Sequence, residues 1–323
     1  MQYRALGKTG LRVSALGFGC GNVGGLMVRG SPRERERAVA RAIELGINYF
    51  DTAPLYGDGL SVEHLGATLK TLAANVIVGT KFRLAAADLK DIGGAVARSL
   101  EASLKRLRLE RVDLFQLHNV IGEPQALPVT QVLGEIRAAL QRVQQEGKTR
   151  FFGITALGDP GALHQVVGAG GFDTAQVCYN LLNPSAGCPV PAGFPAPDFR
   201  LLLARCREHA MGVIGIRALA AGALSGTAAR HPVAVPTVAP IASGPDYETD
   251  VARAQKLSPL VQEGHAADLV EAALRFVVTS DAVSTVLLGY SSLDQLEHAA
   301  AAVAKGPLPP AALERLRSLW RQM

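Results

Sequence analysis

The stretch INYFDTAPLYGDG, residues 47–59, sets the pattern that the rest of this chain repeats. It begins as a short run of β-branched and aromatic residues, which is typical of a buried β-strand. The run ends at Asp51, and Tyr56 follows shortly before a Gly-Asp-Gly turn. Gly and Asp are ordinary turn residues, whereas an aspartate and a tyrosine at the end of a buried strand are less expected. These two side chains are therefore candidates for a functional site.

Apolar runs of the same kind recur along the chain and alternate with longer helical patterns. Such an alternation predicts a parallel sheet that is covered by helices on its outer side. The eight predicted strands span residues 13–20, 47–53, 75–81, 111–119, 149–157, 174–180, 212–219 and 283–290. Eight β-then-α units in a chain of this length predict an α/β fold of the (β/α)₈ or TIM-barrel type.

Helix and turn signals add detail to this prediction. Ser31-Pro32 is typical of an N-cap followed by a first-turn proline and predicts a helix that ends at Leu45. Leucines at helical spacing predict a second helix over 92–109. The turn residues 7–10 predict an N-terminal β-hairpin ahead of the first barrel strand, and residues 309–323 predict an extra C-terminal helix.

The composition favours a soluble globular protein, with 48% hydrophobic and 19% charged residues. We expect one domain over residues 1–323, because barrels of this length fold around a single core. The chain has no apolar run of membrane-spanning length, and its N-terminus lacks the apolar core of a signal peptide, so the cytoplasm is the expected location. Its basic residues are spread along helices rather than clustered, which argues against nucleic-acid binding. The four cysteines are scattered and predict no metal site.

Charged and polar residues mark the ends of three successive predicted strands. Asp51 ends the second strand and is followed by Tyr56, Lys81 ends the third, and His118 lies at the end of the fourth. The active sites of such barrels are assembled at the carboxyl ends of the strands. Closure of the barrel therefore brings these four side chains together.

The four residues form a plausible acid–base set. Tyrosine has an ordinary pKa of about 10, and we expect the Lys81 ammonium to lower that of Tyr56. A buried lysine needs a counter-ion, which Asp51 supplies, and His118 can hydrogen-bond a carbonyl oxygen beside the tyrosine. The result is a general acid directed at a carbonyl group. Taken singly, each residue has a structural explanation, such as a salt bridge or a satisfied core histidine. Their joint placement favours catalysis.

These residues and the motifs around them make the chain resemble the aldo-keto reductases over nearly its whole length. The resemblance lies in LGKTGLRVSALGFG at the start, NYFDTAPLYG, VGTK, DLFQLHN, the GIT segment, AQVCYN and the late LGYSSLDQLE. It implies a barrel enzyme that uses NADPH, or less often NADH, to interconvert carbonyls and alcohols. Tyr56 would be the proton donor, Lys81 and Asp51 would tune it, and His118 would orient the substrate.

The same resemblance implies where the cofactor binds. It assigns the nicotinamide amide to Thr155 and Gln176, with Ala156 standing where the family commonly has Asn. At the end of the seventh strand, Ile216 replaces a stacking aromatic, and Leu219 is a further expected contact. Arg217 follows Ile216, and its guanidinium either clasps the pyrophosphate or pairs with an acid across the barrel mouth.

The adenosine end is expected along LLGYSSLDQLEHA, residues 287–299, where a helix begins and its free N–H groups suit a phosphate. The expected contacts in this stretch are Gly289, Ser291, Ser292 and Gln295. NADP-preferring relatives often carry Lys or Arg here, and this chain has neither. Hydroxyls and backbone amides remain as ligands for a 2′-phosphate, and NADP is slightly favoured over NAD.

The segment GCGNVG, residues 19–24, has the glycine spacing of a doubly wound dinucleotide fingerprint. That fingerprint requires the glycines to open a helix at once, whereas GLMVRG intervenes before Ser31-Pro32. We therefore assign the segment, including Gly21, to the rim of the substrate and cofactor pocket. Cys20, Asn22 and Asn119 are expected to join Tyr56 and His118 around a small polar carbonyl or sugar substrate.

Two proline-rich segments, 185–198 and 227–250, interrupt the alternation of strands and helices. Long loops after barrel strands usually shape the substrate pocket. We favour this role for the first segment, and the second is equally consistent with a loop of no consequence.

The predicted function is that of an NAD(P)-dependent oxidoreductase that interconverts aldehydes, ketones or sugar hemiacetals with alcohols. The alternative is a cofactor-binding regulatory protein of the same fold with little turnover.

Overall fold

The computed structural model describes residues 1–122 and 126–323 and contains a closed barrel of eight parallel strands. The predicted (β/α)₈ fold is confirmed, and each predicted strand is present with ends that differ by a few residues. In barrel order, these strands are β3 (Leu16–Gly19), β4 (Tyr49–Asp51), β5 (Ile77–Phe82), β6 (Val112–Leu117), β7 (Thr149–Ala156), β8 (Thr174–Cys178), β9 (Gly212–Ile216) and β10 (Val283–Gly289). β10 pairs with β3 and closes the ring. The active-site strands β4, β5 and β6 are therefore direct neighbours.

The predicted N-terminal hairpin is present and lies against the barrel end opposite the strand carboxyl termini. It consists of β1 (Tyr3–Ala5) and β2 (Arg12–Ser14), paired antiparallel around a short 3₁₀ turn. Its side chains Leu6, Leu11 and Val13 form an apolar cluster with inward-facing residues of the barrel strands. The hairpin therefore closes this end of the barrel with a hydrophobic plug.

Helices surround the barrel and cover its outer face. Those of the described residues are α1 (Leu26–Arg29), α2 (Pro32–Glu44), α3 (Leu60–Thr71), α4 (Ile92–Leu107), α5 (Val129–Gln131), α6 (Arg137–Gln145), α7 (Pro160–Gly168), α8 (Leu202–Glu208), α9 (Tyr247–Gln255), α10 (Pro259–Gln262), α11 (Leu269–Thr279), α12 (Leu293–Ala304) and α13 (Pro310–Trp320). Ser31 caps α2 as predicted and forms a capping box with Glu34, which satisfies two backbone N–H groups at the helix start. In the described residues, no helix has both the length and the hydropathy needed to cross a membrane.

The segment 19–24 runs directly over the end of β10. A one-turn helix, α1, begins two residues after Gly24, so a short helix does follow the glycines, contrary to our reading of the sequence. A Cβ on Gly24 would lie 2.5 Å from the backbone nitrogen of Tyr290. The glycine is therefore required by close backbone packing against the next barrel strand.

The predicted C-terminal helix is α13, and it is fixed to the barrel by Trp320. The indole Nε1 donates a hydrogen bond of 2.9 Å to the carbonyl oxygen of Leu181, and the ring packs edge-on against Phe276. Trp320 is only 5% exposed. This single side chain connects α13 to the chain just after β8 and to α11.

We predict that Trp320→Ala destabilises the protein by about 3–5 kcal/mol, because it creates a cavity and leaves a buried carbonyl without its donor. The free energy of unfolding in urea measures the loss. Arg317→Ala, an exposed position on the same helix, is the matched control and should change stability by less than about 0.5 kcal/mol. Equal losses in the two variants would contradict the assigned role of Trp320.

Candidate active site

The four predicted catalytic residues lie together at the carboxyl end of the barrel. Asp51 is the last residue of β4, and Tyr56 lies in the loop after it. Lys81 is the penultimate residue of β5, and His118 directly follows β6. Asp51 and Lys81 are fully buried, while Tyr56 and His118 are partly exposed at the wall of a cavity. The geometry therefore places a buried charge pair behind two accessible polar rings.

Lys81 holds the centre of this arrangement. Its ammonium forms an ion pair with Oδ1 of Asp51 and donates to the carbonyl oxygen of Thr52 at 3.1 Å and to the hydroxyl of Tyr56 at 3.2 Å. An ammonium has three protons, so these three acceptors use all of them. Burial acts to lower the pKa of Lys81, but Asp51 and Tyr56 outweigh it and raise the pKa. Lys81 is therefore a fixed cation at neutral pH.

The second carboxylate oxygen of Asp51 accepts hydrogen bonds from three side chains, which lie on β4, β6 and β8. Tyr49 donates its hydroxyl at 2.7 Å, Gln176 its amide at 2.9 Å and Gln116 its amide at 3.3 Å. Each of these side chains is buried. Burying a carboxylate is costly unless it is paired and hydrogen-bonded, and here both oxygens are satisfied.

Tyr49 and Gln116 are members of this network that were not predicted from the sequence. Both lie two residues before a predicted site residue, Tyr49 before Asp51 and Gln116 before His118. Alternate residues of a strand point to the same face, so a polar residue at that spacing also faces the barrel interior. This periodicity is the signal that would have identified them.

The Tyr56 hydroxyl oxygen accepts a hydrogen bond from the Lys81 ammonium. Its own proton therefore remains available to a ligand in the cavity. Burial raises the pKa of Tyr56 above its ordinary value; the Lys81 ammonium opposes this effect and Asp51 adds to it. Lys81 therefore acts to lower the pKa of Tyr56, as expected. Burial has the larger effect, so the pKa is raised and the expected net lowering was wrong. Tyr56 is therefore protonated at neutral pH.

His118 stands edge-on to Tyr56, with ring centroids 6.0 Å apart and planes at 88°. Burial, with the charges of Lys81 and Arg83, lowers the pKa of His118 to about 3. The imidazole is therefore neutral at physiological pH. Its Nδ1 is buried and has no hydrogen-bond partner in the described residues, so the ring is held by packing and by the strand that carries it.

A cavity of about 730 Å³ opens in front of Tyr56 and His118, a volume within the usual range for ligand sites. Most of the predicted site residues line it. These are Cys20, Gly21, Asn22, Asp51, Tyr56, His118, Thr155, Gln176, Ile216, Arg217, Leu219, Gly289, Ser291 and Gln295.

Two predicted contacts lie elsewhere. Asn119 is turned away from the cavity, because its side chain is bonded at both ends to the backbone of Leu84, at 2.9 Å and 2.8 Å. The Ser292 hydroxyl serves as the N-cap of α12 and accepts a hydrogen bond from the backbone of Gln295. The contacts of Asn119 argue against its predicted substrate role. The Ser292 hydroxyl keeps its own proton, and its predicted cofactor contact stays a prediction.

Of the two long loops, the first does not have the role we expected, and the second has one of the two roles that the sequence left open. Segment 185–198 contributes no residue to the cavity wall, because Ser185 bonds back to Pro197 and Phe199 and folds the segment on itself. Segment 227–250 contributes Arg230 and other residues to the wall. The Arg230 guanidinium donates to the carbonyl oxygens of Val235, Ala221 and Val23. It therefore ties the longer loop across the barrel mouth.

One end of the cavity suits a primary carboxamide. Thr155 and Gln176 are register partners on β7 and β8. The Thr155 hydroxyl is buried without a partner in the described residues, and the Gln176 amide nitrogen is committed to Asp51, which leaves its oxygen as an acceptor. A hydroxyl donor beside a carbonyl acceptor complements the C=O and NH₂ of a nicotinamide amide.

The end of β9 suits an anion. Arg217, Ala220 and Ala221 all have positive φ angles, of 58°, 45° and 61°. Such conformations are strained for residues with a Cβ and occur at functional sites, and backbone N–H groups in turns of this kind form anion-binding concavities. The Arg217 guanidinium lines the cavity at this point. These residues fit the pyrophosphate of a dinucleotide.

Arg217 forms no ion pair with any residue of 1–122 or 126–323, and its side chain donates one hydrogen bond, to the carbonyl oxygen of Ala239 at 3.2 Å. Burial lowers its pKa, which is the effect expected of a cation without a nearby counter-ion. Of the two roles that the sequence left open for Arg217, contact with an anionic ligand agrees better with these contacts than pairing with an acid does.

The fold and the arrangement of these residues define an oxidoreductase of the (β/α)₈-barrel class, and comparisons with known proteins identify the family. A model of the aldo/keto reductase family matches residues 15–321. The chain belongs to this family, whose members use the nicotinamide cofactors NADH or NADPH.

Characterised relatives include two sugar dehydrogenases. L-galactose dehydrogenase of Arabidopsis thaliana is 30% identical over 322 residues, which cover 94% of this chain and 89% of that protein. D-threo-aldose 1-dehydrogenase of a Pseudomonas species is 30% identical over 248 residues, which cover 68% and 70%. An aldo-keto reductase structure from Bacillus halodurans, in its holo form, superposes with a TM-score of 0.74 at 26% identity and covers 99% of this chain and 96% of that one.

We predict that Lys81→Met destabilises the fold by about 3–5 kcal/mol, because it leaves the Asp51 carboxylate buried without its cation. Asp51→Asn should cost a similar amount for the reverse reason, and the double variant should cost clearly less than the sum of the two. The free energies of unfolding of the four proteins give the coupling energy. Glu101→Gln, which removes an exposed partner of Lys148, is the control and should cost less than about 1 kcal/mol. Additive losses for Lys81 and Asp51 would contradict the proposed coupling.

Proposed function

We propose that this protein is an NAD(P)-dependent oxidoreductase that interconverts sugar hemiacetals, or simple aldehydes and ketones, with the corresponding oxidised or reduced products. Tyr56 is the general acid and base. The observation that carries this proposal is the hydrogen bond from Lys81 to the Tyr56 hydroxyl at the cavity wall. It fixes the oxygen as an acceptor on its buried side and directs the phenolic proton toward a ligand. We further propose that residues 1–323 form a single catalytic domain.

The protein groups manage the proton in this reaction. During carbonyl reduction, Tyr56 donates its proton to the carbonyl oxygen, and the Lys81 ammonium stabilises the phenolate that forms. During oxidation, the phenolate accepts the proton of the substrate hydroxyl. A nicotinamide held by Thr155 and Gln176 would supply the hydride to the carbonyl carbon in reduction and accept it from that carbon in oxidation. Asp51 keeps Lys81 in place and balances its positive charge within the buried ion pair.

His118 orients the reacting oxygen in this proposal. Its low pKa keeps the imidazole neutral, so the ring donates a single N–H hydrogen bond and adds no second full charge beside Lys81. A neutral donor stabilises the oxygen of the transition state without competing with Tyr56 for the proton. This role is supported by the position of the two rings, which both line the cavity with their centroids 6.0 Å apart.

For the cofactor, we propose that Thr155 and Gln176 hold the nicotinamide amide while Ile216 packs against the ring. Arg217, Leu219 and the backbone that follows hold the pyrophosphate. Gly21 and Gly289 leave room for close approach along the rim. The adenosine half then reaches Ser291 and Gln295 at the start of α12. Both NADP and NAD are candidates. NADP is slightly preferred, although the stretch around Ser291 has no Lys or Arg to pair with a 2′-phosphate.

A sugar substrate is supported by the relatives and by the wall of the cavity. The names of two relatives are those of sugar dehydrogenases. Asn22 lines the cavity and has a buried Oδ1 without a partner in the described residues. Burial raises the pKa of Cys20 well above its ordinary value, so its thiol is neutral. The Asn22 amide and the neutral Cys20 thiol are uncharged groups of the wall that match the hydroxyls of a small polyhydroxylated substrate.

We predict that Tyr56→Phe lowers kcat by about 10²–10⁴-fold with aldoses and with an aromatic aldehyde, because the proton donor is lost. Nicotinamide absorbance follows turnover, and fluorescence titration follows cofactor binding, which should change little. Tyr3→Phe, an exposed tyrosine of the hairpin, is the matched control. Unchanged turnover in Tyr56→Phe would exclude its role as general acid. Cofactor binding without turnover of any substrate in the wild type would instead support the regulatory alternative.

The two active-site pKa values also predict the pH dependence. Reduction requires protonated Tyr56, whose pKa is raised, and neutral His118, whose pKa is about 3. The kcat/KM for carbonyl reduction should therefore be flat between about pH 5 and about pH 9 and should fall only as the pH rises toward the raised pKa of Tyr56. Oxidation requires the phenolate and should become faster with rising pH over the same range. A reductive limb centred near neutral pH would contradict these assignments.

A further inference from the structure

A second cavity lies at the amino end of the barrel, opposite the catalytic cavity. Its volume is about 720 Å³, close to that of the catalytic cavity. Among the described residues, the two cavities have no lining residue in common. The wall of the second cavity is formed where α3 and α4 end and where β5, β6 and β7 begin. The reaction proposed above uses no group of this region.

The side chains that line this second cavity are predominantly cationic where they are charged. The cations are Lys70, Arg108, Arg111 and Arg150. Lys70 lies in the last turn of α3, and Arg150 is the second residue of β7. Arg108 and Arg111 lie on the connection from α4 to β6. Of the described residues that line the cavity, Asp113 alone is acidic.

The Asp113 carboxylate does not neutralise this group of cations. Its Oδ1 accepts a hydrogen bond from the Arg150 guanidinium at 2.8 Å, and its Oδ2 accepts one from the backbone N–H of Val78 at 2.8 Å. Glu110, the other acid of this stretch, is exposed and does not line the cavity. Of the four cations, Arg150 alone forms an ion pair with another described residue. The other three cations therefore remain available to a ligand.

The balance of charge indicates which ligand the cavity suits. The carboxyl end of a helix carries about half a negative charge, and two helices end here. Together with the Asp113 carboxylate, they leave the four cations with an excess of about two positive charges. The phosphate group of a monoester carries a charge of about −1.5 to −2 near neutral pH. The cavity therefore matches a single phosphate group.

The remainder of the wall is largely apolar. Leu69, Val76, Leu107 and Leu109 line the cavity beside the cations. Gly66 also lines it and allows α3 and α4 to approach closely, because a Cβ at this position would lie 2.5 Å from the Cα of Leu107. The volume lies within the range of small-molecule sites, so the cavity has room for an organic group attached to the phosphate.

We propose that this cavity is a second ligand site, which binds the phosphate monoester of a small molecule. Arg108 and Arg111 are its main ligands, because a guanidinium offers paired N–H groups to phosphate oxygens and neither is engaged in an ion pair. Lys70 adds a point charge from α3. The site lies apart from the dinucleotide site, so this inference does not rest on the proposed function. Free inorganic phosphate shares the same chemistry, and the test distinguishes the two sources.

Calorimetric titration of the purified chain tests the proposal, with glucose 6-phosphate, inorganic phosphate and glucose as the probes. Low ionic strength is used, because salt screens exposed charges. The variants are Arg108→Gln, Arg111→Gln and the double variant. Lys105→Gln is the matched control, because it removes an exposed cation of α4 that does not line the cavity. Arg217→Gln reports on phosphate binding in the catalytic cavity instead. Thermal unfolding confirms that each variant is folded.

The wild type should bind glucose 6-phosphate at least about tenfold more tightly than glucose, and the double variant should weaken this binding by about tenfold or more. Each single variant should weaken it by about three- to fivefold. Lys105→Gln and Arg217→Gln should change it by less than about twofold. Equal affinity for inorganic phosphate would support the phosphate site and identify free phosphate as its source.

Three results would overturn the proposal. These are binding that the double variant leaves unchanged, binding that is lost in Arg217→Gln, and affinity for glucose 6-phosphate no greater than that for glucose. The second result would place the phosphate in the catalytic cavity. None of the three bears on the role of Tyr56, because the second cavity lies at the other end of the barrel.

Discussion

The burial of one full charge pair inside the barrel is the constraint on which the rest of the site depends. A carboxylate and an ammonium removed from water are tolerated only when their remaining hydrogen-bonding groups are satisfied. Asp51 meets this condition with donors from β4, β5, β6 and β8, and Lys81 meets it with three acceptors. Because these partners come from different strands, the network is complete only when the barrel is closed in the correct register.

The interior of the barrel is layered along its axis, and Tyr49 connects two of the layers. Its ring belongs to the apolar cluster beneath the site, which also contains Leu6 and Leu11 from the N-terminal hairpin. Its hydroxyl reaches Asp51 in the polar layer above. The hairpin plug keeps water from the lower side of the charge pair, so the field of Lys81 acts mainly on the side where Tyr56 lies. In a less polarisable surrounding, a charge acts more strongly on its neighbours.

The barrel and the four central residues of the site were predictable from the sequence because both follow from local rules. Apolar runs of strand length mark the strands, and a polar residue at the end of such a run marks the site. Tyr49 and Gln116 follow the two-residue periodicity of a strand, and they were missed because they lie inside the apolar runs and not at their ends. The net effect on the pKa of Tyr56 was misjudged for a different reason. The influence of Lys81 is evident from chemistry, whereas the depth of burial is known only from the folded chain.

The remaining errors concern residues whose contacts depend on where a loop closes. Asn119 has a polar side chain beside His118, but its amide is a match for the backbone of Leu84, and this pairing is formed only when β5 and β6 are adjacent. Segments 185–198 and 227–250 have similar compositions and differ in their anchors. Ser185 folds the first segment on itself, and Arg230 secures the second across the barrel mouth.

The functional residues of this molecule are of two kinds, those held by strands and those held by the connections between strands and helices. The charge pair that supports the proposed proton donor, Asp51 and Lys81, stands on strands, where the hydrogen-bond register of the sheet fixes the two positions, and Lys81 holds Tyr56 in the loop that follows β4. Arg217, which is proposed to contact the ligand, stands on the connection after β9, where a substitution changes a charge without disturbing the buried pair.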